Sequence, residues 1–147
     1  MQLITFTKEE FHEHLNSNQI YYTLVNTKAG KLTVLSTKLG IFKAEFSDFD
    51  ILNQYKYLKK IEIDKLLVYG TEFEINVWNT LIKLDKITTY KELASKINKP
   101  KSYRAVANAL AKNRIAYFIP CHKVIRSDNN IGGYKWDIAR KKLLLIS

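Results

Sequence analysis

The sequence predicts an α/β protein in two parts: a small antiparallel three-stranded sheet with a helix over residues 1–70, then a mostly helical unit over residues 71–147. Three observations lead there. Short β-branched or aromatic runs at residues 21–26, 31–37 and 41–46 are separated by the turn sequences Lys28-Ala29-Gly30 and Lys38-Leu39-Gly40, as in a meander. From Gly70 onward, apolar residues recur at helical spacing behind capping sequences. The charge changes at the same place. Residues 1–70 hold nine Lys and Arg against eight Asp and Glu, and residues 71–147 hold fifteen against six, so nearly all of the net +10 lies in the second half.

Taken in order, Thr7-Lys8-Glu9-Glu10 fits a capping box and starts a short helix carrying Phe11 and Leu15. His12 and His14 on that helix are two apart and point to different faces, which suits solvated surface better than a metal pair. The three strands follow. The stretch 49–68 reads as a helix and a long connection. Thr71-Glu72-Phe73-Glu74 is a second capping box, with Phe73, Val77, Leu81 and Leu84 at helical spacing and Trp78 and Ile82 widening the stripe. Thr89-Tyr90-Lys91-Glu92 is a third, opening a helix with Leu93, Ala94 and Ile97 that ends near Asn98. After Lys99-Pro100-Lys101, a helix over 102–112 turns Val106 and Leu110 inward, while Arg104, Asn108 and Lys112 repeat every four residues on another side.

Two short helices joined by a tight turn, the second with a basic stripe, form the pattern of a helix-turn-helix; a plain amphipathic surface helix fits the same pattern. Ala105, Ala107, Ala109 and Ala111 would let that helix approach a nucleic-acid groove closely. A length of 147 residues suits one domain, or one domain with a small appendage. No apolar run reaches the roughly 18 residues of a membrane span. The first seven residues lack the pattern of a secretory signal, so a soluble cytoplasmic protein is expected.

Cys121 is the sole cysteine, which excludes an internal disulfide or a multi-thiolate zinc site. Its sulfur is either buried filler or chemistry. Within Pro120-Cys121-His122, and with Lys123, Arg126, Lys141 and Lys142 near in sequence, the surroundings favour a thiolate nucleophile.

The joint arrangement of the basic helix pair, Asn113, Pro120-Cys121-His122 and Gly132-Gly133-Tyr134 closely resembles the O6-alkylguanine-DNA alkyltransferase family, also called methylated-DNA–protein-cysteine methyltransferases. The resemblance covers the second half, from Gly70-Thr71-Glu72-Phe73 to Lys141. The first half matches in outline, as the family's small ribonuclease H-like sheet domain. The resemblance implies repair of O6-alkylguanine in double-stranded DNA by irreversible, stoichiometric transfer of the alkyl group to Cys121, with no cofactor and no metal; it leaves O4-alkylthymine open. A zinc site of the kind some members carry in this half has no cysteine here. A stand-alone monomer is expected.

Roles carry over by position. His122 draws the Cys121 proton through a water, and Tyr90 donates to guanine N3. Lys141 and the backbone N–H of Lys135 match donors near O6, and the carbonyls of Cys121 and Val124 match acceptors for the exocyclic amine. Tyr134 walls the base pocket, and Gly132 and Gly133 allow a tight backbone approach or simply form a turn. Asn113 is the hinge behind the active-site turn. Arg104 matches the finger that fills the space of an extruded base. Lys101, Ser102, Tyr103, Ala105 and Asn108 belong to the surface expected in the minor groove. The family's histidine-orienting glutamate aligns just beyond Ser147, so either another acid, such as Asp137 or Glu74, substitutes or the thiolate is less activated than usual. Three rivals remain: an alkyltransferase-like protein that binds lesions without transfer, a helix-turn-helix regulator with an incidental cysteine, and a thiol hydrolase using Cys121 and His122.

Overall fold

Thr7 opens the first helix by the reciprocal capping its sequence predicts: its hydroxyl accepts from the Glu10 N–H at 3.1 Å, and the Glu10 carboxylate accepts from the Thr7 N–H at 2.8 Å. In this computed structural model, which describes residues 1–46, 54–62 and 64–146, that helix is α1 (Lys8–Ser17). It buries Phe11 against the sheet. The three predicted strands are β2 (Tyr21–Thr27), β3 (Gly30–Ser36) and β4 (Ile41–Glu45), antiparallel neighbours in the expected order.

The sheet is larger than the predicted meander. Its six strands run β1-β6-β4-β3-β2-β5, adding β1 (Gln2–Phe6), β5 (Lys56–Tyr57) and β6 (Lys65–Tyr69). β6 lies between β1 and β4, parallel to both. The stretch expected to hold a helix and a connection therefore carries two strands among its described residues, while residues 47–53 and 63 lie outside them. The miss has a physical cause. A parallel strand pairs with residues far away in the chain and needs no adjacent turn, and Leu66-Leu67-Val68, buried on both faces, lacks the alternation that marks a half-exposed strand.

The second half begins with α2 (Glu72–Ile82), capped reciprocally by Thr71 and Glu74. Val77, Trp78 and Leu81 are buried along its inner stripe. The short strand β7 (Thr88–Thr89) leads into α3 (Tyr90–Lys96), and after a turn comes α4 (Tyr103–Ala111). The third capping box is one-sided. Thr89 accepts from the Glu92 N–H, but the Glu92 carboxylate accepts from the Thr88 hydroxyl at 3.1 Å. Trp78 donates from its indole N–H to the Ala109 carbonyl at 2.9 Å, fastening α2 to α4. The chain ends in β8 (Val124–Ile125) and α5 (Ile138–Leu145).

Two pairings position the Cys121 turn. β8 runs parallel to β7, which sets Tyr90 beside the segment after Cys121. On the other side, Ala44 of β4 donates to the Arg114 carbonyl at 3.1 Å and accepts from the Ala116 N–H at 3.0 Å. The N-terminal sheet thus grips the loop between α4 and the cysteine, and one hydrophobic cluster runs from Leu32 and Ile41 to Val106 and Ile119.

Candidate active site

Asn113, directly after α4, is fully buried and organises the loop that leads to the thiol. Its side-chain oxygen accepts from the Ile115 N–H at 2.9 Å, and its amide nitrogen donates to the Ile119 carbonyl and to the Cys121 sulfur, each at 3.1 Å. Tyr117, midway, takes a left-handed backbone conformation with φ of 72°. Cys121 begins a turn of 3₁₀ helix (Cys121–Lys123) and is 8% exposed. Its S–H points to the Leu110 carbonyl at 3.8 Å. Burial pushes the thiol up to about 12, against the lowering effects of the Asn113 hydrogen bond and of Lys141 and Lys135.

Cys121 opens onto a cavity of about 380 Å³ that it shares with Tyr90, Ala107, Leu110, Ala111, Gly133, Tyr134, Lys135 and Trp136. Tyr90, Tyr134 and Trp136 give its walls three aromatic rings, and Tyr134 meets Trp136 edge-on with centroids 5.4 Å apart. Burial, with the Cys121 thiolate second, raises the hydroxyl pKa of Tyr90 and of Tyr134; nearby Arg126 acts in the opposite sense on Tyr90. Both phenols are therefore proton carriers at neutral pH. Gly132 has φ of 73°, and a Cβ there would sit 3.0 Å from the Tyr90 hydroxyl, whereas a Cβ on Gly133 would meet open space. Close approach belongs to Gly132 alone.

His122 does not share that cavity. Its ring, 6% exposed, lines a separate hollow with Ile82, Leu84, Tyr117, Phe118, Pro120 and Lys123. It stacks on Tyr117 at an interplanar angle of 13° and meets Tyr134 edge-on with centroids 6.5 Å apart. Burial, then Lys123 and Lys141, hold its pKa down at about 4, so the imidazole is neutral at pH 7 and can accept a proton. Its Nδ1 is buried without a hydrogen-bond partner among the described residues. The two acids weighed as partners are engaged elsewhere. Glu74 caps α2 and pairs with Lys112 at 3.1 Å, and Asp137 accepts from the Ala139 N–H to cap α5.

Lys141 is fully buried, and its ammonium donates to the Val124 carbonyl at 2.6 Å and the Gly133 carbonyl at 2.9 Å. It thereby joins β8 to the loop that carries Tyr134, and burial lowers it to about 8. On the outer side of α4, Lys101, Tyr103, Arg104, Ala105 and Asn108 are exposed, with Ser102 half-buried. Tyr103 and Arg104 line a second hollow with Tyr90, Lys91, Ala107, Arg126 and Ser127, so Tyr90 borders both. Among the described residues, no group of His, Cys, Asp and Glu could hold a metal ion, and no helix is long and apolar enough to cross a membrane.

The sequence model described as "6-O-methylguanine DNA methyltransferase, DNA binding domain" matches residues 72–147. The chain belongs to this methyltransferase family. Among its relatives, the "Bifunctional transcriptional activator/DNA repair enzyme Ada" of Escherichia coli is 45% identical over 80 residues, which are 53% of this chain and 23% of the relative. The "Methylated-DNA--protein-cysteine methyltransferase" of Candida glabrata is 37% identical over 102 residues, 65% of this chain and 49% of the relative. The chain thus spans half or less of these two relatives' lengths. Its mixed α/β fold resembles that of Mycobacterium tuberculosis OGT solved in complex with DNA, with a TM-score of 0.69 and 26% identity over 85% of this chain and 90% of that one.

Trp136, Leu110 and Arg126 border the two hollows; sequence reasoning did not name Trp136, took Leu110 only as an inward-facing helix residue, and took Arg126 only as a charge near Cys121 in sequence. Trp136 had a readable signal, since it stands two residues beyond Tyr134 in the same loop. Leu110 reads as an ordinary core residue, because helical spacing alone does not tell a core wall from a cavity wall.

Proposed function

We propose that this protein repairs DNA by accepting the alkyl group of O6-alkylguanine on Cys121, once per molecule. The observation that carries this reading is the thiol of Cys121 set in the wall of a cavity with Tyr90, Tyr134 and Trp136, beside a helix that exposes Tyr103, Arg104, Ala105 and Asn108. In this reading α3 and α4 form a helix-turn-helix that docks in the minor groove, with Lys101, Ser102, Tyr103, Ala105 and Asn108 at the surface. The damaged nucleotide is extruded into the cavity, and Arg104 fills the gap it leaves. The base stacks against Tyr134.

The Cys121 thiolate attacks the alkyl carbon, the carbon–O6 bond breaks, and the electron pair leaves on guanine. Tyr90 supplies a proton or hydrogen bond at N3. His122 is assigned the thiol proton by resemblance, through a water; its Nδ1 has no partner among the described residues, but its ring lies in a separate hollow and burial lowers its basicity. The backbone N–H of Lys135 and the carbonyls of Cys121 and Val124 orient the base, while Lys141 acts through the two carbonyls it holds. The thioether carbon–sulfur bond is stable in water, so turnover stops at one.

The raised thiol pKa and the engagement of Glu74 and Asp137 in helix caps favour one alternative, a lesion-binding protein without transfer. Incubation with excess duplex containing one O6-methylguanine, followed by intact mass and peptide mapping, separates the two. A gain of one methylene on Cys121, absent in Cys121→Ala with DNA binding retained, is expected. Damage-selective binding without any mass gain would establish the alternative.

A further inference from the structure

We propose that Lys135 is a positioning residue for the thiol: its ammonium braces Asn113 and places a positive charge at the end of α4 that Cys121 faces. The inference rests on the reading of Cys121 as the nucleophile.

The argument starts from where the sulfur sits. Its S–H points to the Leu110 carbonyl, in the last turn of α4, and the carbonyl end of a helix carries partial negative charge. A thiolate there is disfavoured twice, by burial and by the helix end. Lys135 answers both. Its Nζ donates to the Asn113 carbonyl at 2.9 Å, just past that helix end, and its side chain lines the cavity that holds the thiol. The same Asn113 donates from its side chain to the sulfur at 3.1 Å, so the cation, the asparagine and the thiol form one chain of contacts.

The other charges around the pair are accounted for. Lys141 also faces the thiol and lowers its pKa more than Lys135 does, but its ammonium bonds the Val124 and Gly133 carbonyls and not Asn113, so the contact to the asparagine belongs to Lys135. Tyr90 and Tyr134 face the sulfur as neutral phenols, and His122 next to it is neutral at pH 7. Burial is the largest influence on Lys135 and lowers its pKa; Glu45 of β4 and Cys121 favour its charge, while Arg114 and Lys43 of β4 oppose it. The N-terminal sheet thereby takes part in setting the charge behind the cysteine.

The test is the pH dependence of Cys121 alkylation by iodoacetamide, a probe that needs no damaged base, in wild type, Lys135→Met, Lys135→Gln and Lys135→Arg. Methyl transfer from an O6-methylguanine duplex is measured in parallel. Loss of the charge is expected to move the alkylation profile up by about one pH unit in both neutral variants, a roughly tenfold loss of rate at pH 7.5, with Lys135→Arg within about twofold of wild type. Profiles of the neutral variants that superimpose on wild type would overturn the inference, as would an arginine variant as slow as the methionine one. A shifted iodoacetamide profile in a protein that takes no methyl group would leave the positioning role standing and remove the transferase reading alone.

Discussion

Replacing Asn113 by alanine tests the centre of the site, because one side chain makes three buried hydrogen bonds there. The Ile119 carbonyl keeps a second donor, the Cys121 N–H at 2.8 Å, so its loss is mild. The Ile115 N–H, on a residue 1% exposed, loses its acceptor outright. An orphaned buried donor costs about 1–3 kcal/mol and each of the other two lost bonds about 0.5–1 kcal/mol, giving roughly 3 kcal/mol. For a chain of this size that is a fall of about 10 °C in melting temperature. Calorimetry measures the fall, and single-turnover methyl transfer at matched folded concentration measures the second effect. With the donor to sulfur gone, the thiol rises further and transfer slows. A melting point within about 3 °C of wild type, or transfer at the wild-type rate in the folded variant, would refute the assignment of Asn113 as the brace of this loop.

Arg104→Ala should slow transfer from duplex DNA at least tenfold while leaving reaction with free O6-alkylguanine base within about twofold, since Arg104 is exposed outside the cavity; equal losses on both substrates would place its role in the chemistry instead. Trp136→Ala should admit bulkier O6 substituents, read as faster reaction with O6-benzylguanine than with the methyl compound relative to wild type, and an unchanged ratio would show that the ring does not limit the cavity. His122 predicts a pH effect on stability. Its pKa is about 4 folded against 6.5 unfolded, so between these values the unfolded chain binds the extra proton, and stability falls as the pH drops from 6.5 to 4. The loss is up to about 3 kcal/mol, and His122→Phe should flatten that limb of the denaturation profile; a variant with the same slope would locate the titration elsewhere.

Much of this molecule is legible locally. Thr7 with Glu10 and Thr71 with Glu74 cap their helices as their spacing predicts, because a capping box is complete within four residues. Gly30 and Gly40 mark the turns of β2, β3 and β4 for the same reason. Cys121, Tyr90, Tyr134 and Lys135, candidates from the motif and from the resemblance it carries, line one cavity. Less visible was β6, whose neighbours β1 and β4 are distant in the chain, and so were Trp136 and Leu110, whose place in a cavity wall depends on what packs opposite them.

The sequence by itself determined the helices α1 to α4, the meander, the basic second half and the motif around Cys121, since each rests on interactions within a few residues or on composition, whereas α5 was not read from it. Tertiary structure alone decided that Ala44 holds the loop after α4, that Asn113 reaches both Ile115 and the Cys121 sulfur, and that His122 turns into a different hollow from the thiol it follows. It also decided the protonation of the site. Burial depends on what the rest of the chain places around a group, and burial is the largest influence on Cys121, His122 and Lys141 alike.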